Sequence, residues 1–233
     1  MTWHLSPFAV FDTETDAANP EEARFVSACI GGVGAAGADV KQIIVNPGIP
    51  ISPESVAIHG ITDERAQAEG CEPGEACEWL LANLNQFWAA GAPVVAYNAS
   101  YDFTVLDREC RRHLGHGIEI RGPIIDPFVI DREVNRYRKG SRNLTATAEF
   151  YGVALNGAHD ATEDALAAGR IAWRIATRYP HIAEMPLAVL HEAQTAWHRE
   201  RQRDFAAYLI KKGESADDVC GDWPLRVLQG VAA

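Results

Sequence analysis

Nowhere in the 233 residues does an apolar run approach the roughly 18 residues that a membrane-spanning helix needs, and Met1 to Pro7 lack the basic and apolar stretches of a secretion signal. The expectation is a cytoplasmic protein with no membrane partner. Cysteine is sparse: five residues, an odd number, with no Cys-x-x-Cys pair, which fits reduced thiols better than a disulfide framework or a zinc site. Positive charge is in deficit, with 21 Lys and Arg against 32 Asp and Glu, a net charge of −11. On its face that disfavours a polyanionic partner. The deficit is local, however, because most of the surplus acid lies before residue 104, whereas residues 104–145 and 170–212 are net basic. The glycines from Gly31 to Gly37 form no phosphate loop, since no Gly-Lys-Ser/Thr ending follows them. No repeat or low-complexity tract is present.

What is there reads as an α/β domain with one appendage, residues 1–180 and 181–233. Hydrophobic residues make up 47% of the chain and charged residues 23%, the balance of an ordinary globular core. Phe8 to Phe11, Phe25 to Val33 and Val40 to Val45 are short apolar runs bounded by turn residues, and they predict three strands in a meander. Apolar residues at helical spacing predict helices over Glu75 to Ala90, Tyr101 to Leu114, Asn143 to Tyr151, Ala161 to Tyr179 and Pro186 to Lys212. Pro93 to Tyr97 and Ile124–Ile125 are strand candidates between helices, which implies parallel pairing. Asp126 followed by Pro127 suits a helix cap and first turn. Asp131 reads as a surface residue, and Trp197, Phe205 and Tyr208 as the packing stripe of the last helix.

Three short segments carry the chemistry. Asp12-Thr13-Glu14 ends a strand, where the two-residue period points both carboxylates to one face. Asn98 to Asp102 follows a buried strand and opens a helix, the end of an α/β sheet where ligands bind. His159-Asp160-Ala161-Thr162-Glu163-Asp164 sets a histidine just before a helix and an Asp in its first turn. Taken singly, each has a structural explanation: strand-end acids are common, Asp102 suits a cap, and Asp160 with Glu163 suits a capping box. His159 has no such duty, and histidine is the natural general base near neutral pH. The remaining histidines lack ligand spacing.

In that order and context the three segments resemble the motifs of the DnaQ-like, or DEDDh, 3′-to-5′ exonucleases, over roughly residues 6–178. The resemblance implies a ribonuclease-H-like mixed five-stranded sheet flanked by helices, here with a C-terminal helical extension. It also implies that Asp12, Glu14, Asp102 and Asp164 hold two Mg²⁺ or Mn²⁺ ions, with His159 as general base. The reaction would release nucleoside 5′-monophosphates from the 3′ end of nucleic acid, single-stranded DNA in repair or replication foremost. Trimming of RNA or short oligonucleotides, or a silent binding module, are the alternatives. Ile58 to Thr62 resembles a family loop, and Thr13, Thr15, His59, Asn98 and Phe103 become expected contacts to the terminal nucleotide, although Phe103 suits the core equally well. Thr15-Asp16-Ala17 after Glu14 departs from the usual family continuation, and no clamp-binding motif follows the domain. Arg132, Arg136, Arg138, Lys139 and Arg142, between the second and third motifs, are expected to contact phosphates.

Overall fold

The computed structural model describes residues 2–155 and 160–228. Strands β1 (Phe8–Thr15), β2 (Phe25–Gly34) and β3 (Gly37–Ile44) form an antiparallel meander, and β4 (Val94–Val95) and β5 (Ile124–Ile125) add in parallel to β1. The sheet order is β3-β2-β1-β4-β5, a mixed five-stranded α/β architecture. Residues alternate across β1. Ala9 and Phe11 enter the core beneath α3 (Pro73–Ala89) and α4 (Ala99–His113), while Phe8 and Val10 face α7 (Ala161–Arg178) on the other side.

Helix α7 approaches the sheet closely because its inner stripe is small: Ala161, Ala165, Ala168, Gly169, Ala172 and Ala176 are all buried. At Gly169 a Cβ would lie 2.9 Å from Val10 Cγ1 and 3.0 Å from the Phe8 ring. The N-terminus of α7 is tied down as well, since the Cys29 thiol donates to the Ala161 carbonyl at 2.9 Å.

Two short helices escaped the periodicity reading. They are α1 (Pro53–His59) and α2 (Asp63–Glu69), capped by the side chains of Ser52 and Thr62. Each runs only seven residues, too short to display an amphipathic period. Their signals lay in the caps, Ser52 before Pro53 and Thr62 before two acids.

Helices α5 (Pro127–Val134), α6 (Leu144–Tyr151) and α8 (Pro180–Ala183) precede α9 (Leu187–Lys212). The first half of α9 closes the sheet edge. His191 Nδ1 accepts the Ile124 N–H at 3.1 Å, Gln194 donates to the Ile124 carbonyl at 2.9 Å, and Gln194 Oε1 accepts the Asp126 N–H at 2.6 Å. Side chains thus stand in for a sixth strand and leave no open edge there. The distal half has no such sheet partner among the described residues: Phe205 and Tyr208 are each 49% exposed and stack on one another, so the expected packing stripe ends at Trp197. Asp131, expected at the surface, is fully buried. Its carboxylate accepts from Tyr151 Oη (2.8 Å) and pairs with Arg138 (3.0 Å) and Arg142 (2.5 Å). No helix among the described residues is long and apolar enough to cross a membrane.

Candidate active site

Strand β1 continues past Phe11 to Thr15, so Asp12 and Glu14 extend the face begun by Phe8 and Val10 and turn toward α7. The first turn of α7 carries Asp164 to the same place. Ligand oxygens of Asp12, Glu14 and Asp164 all lie within 4.8 Å of one another. Asp102 enters from α4 beside them, its Oδ1 accepting from Thr13 Oγ1 at 2.7 Å. Thr13 points to the opposite face of β1 from its neighbours, which is why it reaches α4 and holds Asp102.

Burial together with mutual repulsion makes these carboxyls hard to ionise. Desolvation, then the charges of Asp102, Glu14 and Asp164, raise the Asp12 carboxyl well above its ordinary range. Glu14 is pushed up to about 8 by burial and then by Asp164 and Asp102. Asp102 rises to about 7, burial outweighing the hydrogen bond from Thr13. A cluster of carboxylates that desolvation and mutual repulsion make hard to ionise is stabilised by a bound cation, and an all-carboxylate donor set suits a hard ion such as Mg²⁺ or Mn²⁺. The residues present therefore fit a divalent metal.

The turn that delivers Asp102 is held from behind. Asn98 sits in the left-handed region at φ 62°, and Asp126, 1% exposed, accepts the N–H groups of Asn98 and Ala99 at 2.9 Å each. The same carboxylate caps α5 through the Phe128 N–H and accepts from Trp223 Nε1 at 3.1 Å. The sequence places Asp126 as a cap; its larger role, fixing the start of α4, depends on contacts 27, 28 and 97 residues away.

Two cavities flank the start of α4. One, of about 360 Å³, is lined by Thr13, Glu14, Thr15, His59 and Tyr101 among others. Its floor is ordered by Tyr101 Oη, which donates to the Ala17 carbonyl and shares a short hydrogen bond with Thr15, and by Ser55, which donates to the Asp16 carbonyl at 2.8 Å. His59 is the last residue of α1, not a loop residue, and its Nδ1 accepts the Ile61 N–H. The second cavity, of about 420 Å³, is lined by Tyr97, Asn98, Phe128, Arg132, Arg142 and Asn143 among others. The structure thus divides the expected nucleotide contacts: His59, Thr13 and Thr15 lie in one cavity and Asn98 in the other. Phe103 lies in neither. It is fully buried against Phe11 and Trp88, a core residue. A larger apolar cavity of about 800 Å³, between Phe8 and Trp173, has no carboxylate in its lining.

Of the five expected phosphate contacts, Arg138 and Arg142 are engaged with Asp131, and Arg136 pairs with Glu200 at 3.2 Å. His159 lies outside the described residues.

Comparison with known proteins agrees with this geometry. The family model described as Exonuclease (RNase T) matches residues 9–172. A DNA polymerase III PolC-type protein of Lacticaseibacillus paracasei is 29% identical over 138 residues, 59% of this chain and 9% of that protein. A DNA polymerase III subunit epsilon-like protein of Rhodobacter capsulatus is 30% identical over 167 residues, 69% of this chain and 22% of that one. The chain therefore spans only a small part of these curated relatives. Among solved structures, E. coli Exonuclease I in complex with a dA16 oligonucleotide superimposes with a TM-score of 0.65 at 18% identity, covering 87% of this chain and 45% of that chain. Exonuclease X in complex with 5′ overhanging duplex DNA gives 0.58 at 18% identity, covering 80% of this chain and 99% of the other. On the family match and the shared fold, the chain belongs to the DnaQ-like exonucleases of the ribonuclease-H-like superfamily.

Proposed function

We propose that this chain removes nucleotides one at a time from the 3′ ends of single-stranded DNA, releasing nucleoside 5′-monophosphates. The observation that carries the reading is the convergence of Asp12, Glu14 and Asp164 oxygens within 4.8 Å, with Asp102 alongside, in a chain of exonuclease family. In this reading the four carboxylates hold two Mg²⁺ or Mn²⁺ ions. When bound, such ions activate the attacking water and neutralise charge on the scissile phosphate and the leaving oxygen. The protein's own part is positional. Thr13 orients Asp102, the Asp126 carboxylate fixes the turn before it, and the Cys29 thiol anchors the helix that brings Asp164. His159, one residue before the α7 cap Asp160, is proposed to take the proton of the attacking water. His159→Ala should then lower the maximal rate by about 10²–10⁴-fold and recover partly at high pH, with metal affinity little changed.

DNA is favoured over RNA because the relatives are named as DNA polymerase III chains and the solved neighbours carry DNA. The cavity lined by Glu14, Thr15 and His59 is assigned to the terminal nucleotide. The test is a product time course on 5′-labelled DNA and RNA, single-stranded and duplex, in Mg²⁺, Mn²⁺ and EDTA. Stepwise shortening from the 3′ end that EDTA abolishes is expected, fastest on single-stranded DNA. Cleavage that survives EDTA, or first release of the labelled 5′ nucleotide, would overturn the reading.

A further inference from the structure

The second cavity shares with the site the Tyr97–Asn98 turn that starts α4, the helix that carries Asp102. No acid is among its described lining residues, in a protein whose net charge is −11. Of its two arginines, Arg142 is committed to the buried Asp131. Arg132 is not committed. Its guanidinium lies 4.4 Å from the centroid of the Phe128 ring, and among the described residues it has no carboxylate or hydrogen-bond partner. Burial disfavours its charge, and the next largest contributions come from like charges, Arg201 of α9 and then Arg142, with Tyr97 and Asp126 acting more weakly the other way. A half-buried guanidinium facing other guanidinium groups is stabilised by an anion. The ring beneath it, with Tyr97 a further 5.6 Å from Phe128, offers an aromatic surface of the kind on which bases of single strands stack.

We propose that Arg132, seated on Phe128 and flanked by Arg201, binds a backbone phosphate of the nucleic-acid strand upstream of the cleaved bond. The C-terminal helix, which lies beyond the segment matched by the family model, thereby contributes to substrate binding through Arg201. The proposal rests on the exonuclease reading, and it selects Arg132 over the ion-paired Arg136, Arg138 and Arg142.

The test uses the full chain, Mn²⁺ and two substrates: octathymidylate, and the p-nitrophenyl ester of thymidine 5′-monophosphate, which has one phosphodiester and no upstream phosphate. Arg132→Ala should raise KM for the octamer about tenfold with kcat little changed, and flatten the log-log salt dependence by about 0.7, the loss of one single-strand phosphate contact. The ester's KM should stay within about twofold of the wild-type value. Arg201→Ala should shift the octamer KM in the same direction, and it provides the reading if Arg132→Ala does not fold. Equal effects on both substrates, or no effect on the octamer, would overturn the proposal. A wild-type chain that hydrolyses neither substrate would instead overturn the exonuclease reading, and this inference with it.

Discussion

Asp126 exemplifies what a residue does here that its local sequence does not disclose. Asp-Pro at a helix start announces a cap, and Asp126 is one, yet its carboxylate also accepts two backbone N–H groups from the turn preceding Asp102 and the indole N–H of Trp223. Removing it orphans buried donors, which costs about 1–3 kcal/mol for each group left unsatisfied. Asp126→Ala is therefore expected to lower stability by roughly 3 kcal/mol in chemical denaturation, and to weaken metal binding because Asp102 loses its support. A variant as stable as the wild type would show that the turn holds itself. The carboxylates were legible because each sits in a run whose neighbours define a strand end or helix start. Phe103 was ambiguous for the opposite reason, since adjacency to Asp102 says nothing about which side of α4 it occupies. Asp131 was misread because its cationic partners, Arg138 and Arg142, are brought to it by a loop with no periodic signature.

At the scale of elements, the site depends on how closely α7 approaches β1. The alanine and glycine stripe was visible in the sequence as part of a helical pattern, but not the contact it permits. Gly169→Val would press a branched side chain onto Val10 and Phe8, where even a Cβ meets atoms at 2.9 and 3.0 Å. The expected cost is about 1–3 kcal/mol of overpacking, with a measurable loss of Mn²⁺ affinity as Asp164 moves away from Asp12 and Glu14. Unchanged melting and affinity would mean that the helix can slide without disturbing the cluster. Helix α9 was placed correctly in extent, and its two halves differ for a physical reason. The proximal half satisfies the polar edge of β5 through His191 and Gln194, whereas the distal half meets the domain through the Arg136–Glu200 ion pair and leaves Phe205 and Tyr208 half exposed. Amphipathic spacing predicts a buried stripe without saying where the partner surface stops. The short helix α1 lines the Glu14–His59 cavity, and both α1 and α2 were recoverable only from their caps.

For the whole molecule, the acidic cluster sets how stability depends on pH. Asp12, Glu14 and Asp102 have raised carboxyls in the folded state, so the folded chain holds protons that the unfolded chain releases. The sign follows from linkage: stability is fully present below the ordinary carboxyl range near pH 4 and falls as pH rises toward about 8, where Glu14 ionises. Metal-free protein should accordingly melt at a lower temperature at pH 8 than at pH 5, and Mn²⁺ should raise the melting temperature more at pH 8, releasing protons as it binds. A metal-free melting temperature that rises over this interval would contradict the assigned repulsion. The meander and the parallel pairing of the later strands follow from the pattern of strands and helices, whereas the place of β4 beside β1 came from the structure. The charge balance of −11 was the feature most at odds with a polyanionic substrate, and the charges are segregated: acid at the carboxylate cluster, and in the second cavity Arg132, which has no ion-pair partner among the described residues. The most direct measurement of the central claim is a calorimetric titration of Mn²⁺ into the full chain at pH 8, comparing wild type with Asp12→Asn. The account predicts two ions per chain for the wild type, and strongly weakened binding in a variant that is folded and, without metal, at least as stable. Equal stoichiometry and affinity in the two proteins would contradict the assignment of the metal centre to this cluster.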